Sequence, residues 1–92
     1  MSVKQLTAWF VGHVQGVGFR YTVDRIAGHF EVTGYVRNLP DGRVEMMAEG
    51  DESQLKDLLQ AVRDSPMSRN IRHVEVLWQP AEHRFDSFGI AT

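Results

Sequence analysis

Three glycines within seven residues, followed closely by an arginine, mark the stretch best equipped to do chemistry: Gly12-His13-Val14-Gln15-Gly16-Val17-Gly18-Phe19-Arg20. Glycine lets a backbone fold into a concave nest whose N–H groups point inward, and no Cβ obstructs a ligand. Arginine adds a permanent cation whose planar fork matches two phosphate oxygens. A strand-to-helix turn would complete the set, because a helix N-terminus contributes unpaired N–H donors and about half a positive charge. The flanks supply that turn. Leu6-Thr7-Ala8-Trp9-Phe10-Val11 carries the aromatic and β-branched residues of a strand. Phe19, Val23, Ile26, Ala27 and Phe30 then recur at spacings of four, three, one and three, one face of a helix. The stretch reads as a phosphate cradle with Arg20 at the helix start. It matches neither nucleotide motif, having no Gly-Lys-Ser/Thr ending and no Gly-x-Gly-x-x-Gly spacing.

The elements that must hold this cradle belong to one small domain spanning 1–92, long enough for a single modest core. Ten basic against twelve acidic residues give a formal charge of −2, so no broad field recruits nucleic acid or an anionic membrane. The absence of cysteine excludes disulfides, thiolate metal sites and a thiol nucleophile. Met1-Ser2-Val3-Lys4-Gln5 lacks the apolar core of a signal peptide, and no apolar run approaches membrane-spanning length. A soluble, cytoplasmic monomer is expected.

Taken in order, the pattern predicts a strand around 5–12 and a helix around 20–30. Val32-Thr33-Gly34-Tyr35-Val36-Arg37 alternates as a half-buried strand does. Asn38-Leu39-Pro40-Asp41-Gly42 supplies turn chemistry, and the chain returns as a strand over 43–49, making a hairpin. Asp51 with Gln54 three residues later reads as a capping box. Leu55, Leu58, Leu59 and Val62 stripe the second helix, which stops before Ser65-Pro66. Residues 74–78 form a fourth strand, and 85–90 add a short fifth. The order βαββαβ with a terminal strand implies an α+β fold, the ferredoxin-like sandwich: an antiparallel sheet with both helices on one face. In that topology the first strand's exit loop lies near the end of the second strand, which sets Asn38 beside the cradle.

Two motifs together resemble a known family. Gly-His-Val-Gln-Gly-Val-Gly-Phe-Arg over 12–20 is similar to the first signature of the acylphosphatases, whose core is Gly-x-Val-Gln-Gly-Val-x-Phe-Arg. Gly34-Tyr35-Val36-Arg37-Asn38-Leu39-Pro40-Asp41-Gly42-Arg43-Val44-Glu45, followed by Glu49-Gly50, resembles the second. The similarity spans nearly the whole chain, and the family's fold agrees with the pattern above.

That resemblance implies metal-independent hydrolysis of the carboxyl–phosphate bond of a small acyl phosphate, with no cofactor. The reaction suits these residue types. A carboxylate leaves readily, so no strong acid or metal is needed; what remains is to hold the phosphoryl group, spread its charge and aim a water in line. The resemblance assigns phosphate binding to Arg20 and to the backbone N–H groups of Gln15, Gly16, Val17, Gly18, Phe19 and Arg20. It gives Asn38 the water. An amide is no strong base, so the water's proton goes elsewhere, the substrate phosphate being one candidate.

Other polar residues have plainer readings. Gln15 either braces the loop or touches substrate. His13 occupies the signature's variable position and reads as loop surface, while His29, His73 and His83 share no metal-ligand spacing. Arg37 and Arg43 read as solvated strand-end arginines, and Met46 and Met47 as core and surface of one strand. One departure from the family is Glu31-Val32-Thr33-Gly34 where Gly-Leu-Thr-Gly is common. If Glu31 takes the left-handed cap conformation that glycine serves there, the cost is about 1 kcal/mol. Gly28, inside the predicted helix, costs about as much relative to alanine.

Two other classes share the element order. An RNA-recognition domain needs exposed aromatics on its central strands to stack bases. The third strand here offers Val44, Met46 and Ala48 on one face and Arg43, Glu45, Met47 and Glu49 on the other, with no aromatic. Acylphosphatase-like domains that open larger carbamoyl-transfer maturation proteins continue into cysteine-rich zinc segments, whereas this sequence stops at Thr92 without a cysteine. A free-standing enzyme is the expectation.

Overall fold

Leu6, Ala8 and Phe10 alternate along β1 (Val3–Gly12), and all three are fully buried, so this strand's inner face anchors the core. The computed structural model describes residues 2–92. After β1 come α1 (Phe19–Ala27), β2 (Val32–Asn38), β3 (Val44–Asp51) and α2 (Glu52–Arg63). A single 3-10 turn at Ser68–Asn70 leads into β4 (Ile71–Pro80), and β5 (Phe88–Ile90) closes the chain. The strands order as β4-β1-β3-β2-β5.

Directly opposed residues in an antiparallel pair share a face. Three rows across β1, β3 and β2 therefore face the helices: Leu6–Ala48–Gly34, Ala8–Met46–Val36 and Phe10–Val44–Asn38. Phe19 and Val23 of α1 and Leu55, Leu58 and Val62 of α2 pack onto them in one apolar cluster. The last row matters most. It carries Asn38 to the helix side of the sheet, at the end where β1 gives way to α1.

Several expectations are corrected. The sheet is mixed rather than antiparallel throughout, because β5 runs parallel to β2, with Gly34 opposite Phe88 and Val36 opposite Ile90. β4 is ten residues long, pairing with β1 along its whole length, well beyond 74–78. α1 ends at Ala27, and Gly28 is its cap in right-handed helical geometry (φ −61°), so it does not weaken a helix interior. Glu31 is not left-handed; His83 is the one non-glycine residue at positive φ among those described. The chain leaves α1 instead through two tight turns, His29 N–H donating to Ile26 O and Phe30 N–H to Ala27 O, both at 3.0 Å.

The capping box does not form either. Asp51 occupies the N-cap of α2 without a side-chain cap bond, its carboxylate accepting from the Ser53 hydroxyl at 2.7 Å and from Ser2 N–H at 3.1 Å. Gln54 turns to the neighbouring chain exit, where its Oε1 accepts Glu31 N–H at 3.1 Å. Met47 is buried rather than superficial, as are Glu45 and Glu49 on the same side of β3. The segment 82–85 crosses that face: Glu49 binds the backbone of Glu82 and His83, and the Phe85 ring lies 5.7 Å from that of Tyr35.

Candidate active site

Val14, buried in the core, pins the middle of the loop that joins β1 to α1. The backbone around it then turns on Gly16 and Gly18, both left-handed at φ 76° and 83°. Gly18 is the N-cap of α1, with no side-chain cap bond and no acidic residue in the first turn. The first intrahelical bond at this end is Thr22 N–H to Gly18 O, 3.1 Å. The N–H groups of Phe19, Arg20 and Tyr21 thus have no acceptor within the helix, and the positive end of α1 stays open to an anion. Phe19 fixes the helix in place, its ring edge-on to Phe10 at 5.1 Å.

A cavity of about 170 Å³ occupies this end of the fold, lined by Val14, Gly16, Gly18, Phe19, Arg20, Tyr21 and Asn38. Sequence neighbours and a strand end eighteen residues away therefore meet in one concavity, as the topology requires. Arg20 forms no ion pair among the described residues. Asn38 Oδ1 is buried and has no hydrogen-bond partner among the described residues. An orphaned buried acceptor is costly in a folded protein and calls for an explanation. Among the described residues, no carboxylate or histidine lines the cavity.

Gln15 and Val17 belong to the loop but lie outside that lining. The Gln15 amide donates to Leu39 O at 2.7 Å and to Arg43 O at 2.9 Å, tying the cradle to both sides of the β2–β3 turn. Val17 packs against the core. Val14 and Tyr21 line the cavity although no reading of the residues had singled them out. For Tyr21, the signal was its place one residue beyond Arg20 in the first turn of the helix.

Arg37 and Arg43 point away from the cavity side of the sheet. Arg37 Nε meets Glu45 at 2.8 Å, and Arg43 Nε meets Asp41 at 2.8 Å while its Nη1 lies 3.8 Å from Glu75. Glu45 gathers three donors, also accepting from Trp9 Nε1 at 2.9 Å and Tyr35 OH at 2.8 Å. Burial pushes its carboxyl pKa up, but the bonds from Tyr35, Trp9 and Arg37 outweigh burial and hold it below the ordinary value. Burial and the Glu45 bond together raise the Tyr35 pKa. This network lies beneath the strand end that presents Asn38. His13, His29, His73 and His83 are all exposed. Among the described residues, no group of three or more His, Asp or Glu side chains is arranged to hold a metal ion.

The family profile for acylphosphatase matches residues 6–90. The chain is 44% identical over 86 residues to an acylphosphatase of Archaeoglobus fulgidus, covering 94% of this chain and 96% of that one. An acylphosphatase of Salinibacter ruber is 40% identical over 87 residues, with 95% and 92% covered. The crystal structure of acylphosphatase from Bacillus subtilis superposes with a TM-score of 0.88 at 37% identity, covering 97% of this chain and 99% of that one. With the ferredoxin-like architecture and both signatures in register, this chain belongs to the acylphosphatase family, hydrolases of acid anhydrides that split the carboxyl–phosphate bond of acyl phosphates.

Proposed function

We propose that Arg20 and the open N–H groups of the Gln15–Arg20 backbone hold the phosphoryl group, and that Asn38 aims the attacking water. The observation that carries this reading is the meeting of Asn38, with its unpartnered buried Oδ1, and Arg20 across one cavity at a helix N-terminus. An amide oxygen left without a partner has a lone pair free to accept a hydrogen bond from water. Arg20, free of ion pairing, keeps its fork for an anion.

The chemistry balances with few parts. Water attacks phosphorus in line, the P–O bond to the acyl carbon's oxygen breaks, and the carboxylate departs with the bonding pair. No side chain lining the cavity is a base, so the water's proton passes to a phosphoryl oxygen of the substrate, giving inorganic phosphate. Charge on the equatorial oxygens is met by Arg20 and the backbone donors. The reading is metal-independent, and the acyl half receives few contacts, so small acyl phosphates of varied acyl group are substrates for a monomeric, cytoplasmic enzyme.

Assay of benzoyl phosphate hydrolysis in excess chelator tests it. Undiminished turnover, with negligible release of phosphate from ordinary monoesters, is expected, because an alkoxide leaving group needs an acid or a metal. Loss of activity on chelation with recovery on adding magnesium or zinc would overturn the mechanism.

A further inference from the structure

The pole that holds the cradle carries a second polar cavity. It lies where α2 ends and β4 begins, has a volume of about 200 Å³, and is walled by Arg63, Ser68, Ile71, Arg72, His73 and Val74. Three of those residues are cations or become so on protonation, and a fourth offers a hydroxyl. Neither Arg63 nor Arg72 forms an ion pair among the described residues, and His73 approaches Glu75 only at 3.7 Å. Arg63 alone would be accounted for as the basic residue in the last turn of α2. A second unpaired arginine lining the same cavity is not accounted for in that way.

We infer that this cavity is a second oxyanion site, separate from the cradle, that takes a small tetrahedral anion such as inorganic phosphate. The side chains of the two arginines and the serine in its wall carry more donors than one phosphate has oxygens. The walls are polar on the arginine side and apolar only at Ile71 and Val74, so the cavity does not suit an aliphatic ligand. The site adjoins the root of the catalytic loop. His13 N–H donates to Asn70 O at 3.0 Å, and Asn70 Nδ2 returns a bond to His13 O at 3.0 Å. Gly12 packs so closely there that a Cβ would stand 2.1 Å from Asn70 O. The inference does not depend on the roles given to Arg20 and Asn38.

Titrating ¹⁵N-labelled protein with sodium phosphate at constant ionic strength tests it by amide chemical shifts. The amides of Ser68 and Ile71–Val74 should move along a saturation curve of their own, distinct from that of Gln15–Arg20. In Arg63→Ala/Arg72→Ala the first set should need at least tenfold more phosphate, while the cradle amides and benzoyl phosphate turnover keep their wild-type behaviour. Arg25→Ala, a control at the other end of α1, should leave both curves unchanged. In Arg20→Lys the cradle response should weaken and the second set persist. The inference is overturned if the 68–74 amides stay still, if they follow the cradle curve and vanish with it in Arg20→Lys, or if the double variant leaves them unchanged.

Discussion

The Glu49 carboxylate accepts the backbone N–H of His83 at 2.9 Å, thirty-four residues along the chain, while its other oxygen accepts Glu82 N–H at 2.6 Å. His83 takes a left-handed conformation there, φ 57°, that costs a non-glycine residue about 1 kcal/mol. Two charge-assisted bonds to a carboxylate that is only 4% exposed offset that strain and strap the segment after Pro80 over the sheet. The strap delivers β5 to the edge of β2, where Gly34 N–H donates to Ser87 O at 3.0 Å.

Glu49→Gln should therefore destabilise the fold by about 1–3 kcal/mol, measured by chemical denaturation, with the catalytic cavity unaffected. Burial alone would raise the Glu49 pKa, but Glu82 N–H, the Gln5 amide and His83 N–H outweigh burial and hold it below the ordinary 4.5. A carboxyl whose folded pKa lies below its unfolded value stabilises fully above the unfolded value and loses that contribution as pH falls through the folded one. The stability gap between wild type and Glu49→Gln should hence be flat near neutrality and shrink below pH 4.5. A gap that persists unchanged in acid would show that shape, not charge, holds the strap.

Arg20 and Asn38 should separate in their kinetics. Arg20→Lys keeps a charge but loses the fork, so turnover should fall by a factor on the order of 100 and competitive inhibition by phosphate should weaken. Asn38→Ala should lower turnover to a similar extent, by about 100-fold, while leaving phosphate inhibition nearly intact, the pattern of a contact used mainly in the transition state. Equal loss of phosphate affinity in both variants would make Asn38 a binding residue instead.

Gln15 acts through what it braces. Its amide joins the cradle to Leu39 O and Arg43 O, the two sides of the turn that follows Asn38. Gln15→Ala should lower kcat by about tenfold through misplacement of the water-aiming group, with KM little changed. Gln15→Glu, which keeps the size but loses the donor, should not rescue it. Unchanged kcat in both variants would show that the cradle and the turn keep their relative position unaided.

Glu31→Gly should destabilise rather than stabilise. Glu31 is not left-handed, and its N–H is already satisfied by Gln54. Glycine there adds only unfolded-state freedom, costing about 0.5–1 kcal/mol. The denaturation midpoint should fall slightly, and a rise would reopen the case for strain at this helix exit.

Much of this was legible along the chain because the signals are local. The three glycines and Arg20 sit at a change from strand to helix, and Asn38 opens a turn whose residue types impose themselves. The alternation that buries Val44 and Met46, and the spacing of Leu55, Leu58 and Val62, report one core and thus the ferredoxin-like sandwich. Local pattern is blind to which of several partners a polar group will choose. Gln54 was free to cap its own helix or to reach Glu31, and only packing of the α1 exit against α2 decided it. The Gln15 side chain was free to face an anion or the β2–β3 turn, and carbonyls contributed from 24 and 28 residues away settled that choice. Met47 and Glu49 sit on the face of β3 that periodicity assigns to solvent, yet a segment from the far end of the chain covers them. Contacts between distant segments form only once the chain is closed, and their geometry is set by tertiary structure, as is that of the orphaned Asn38 Oδ1 beside Arg20.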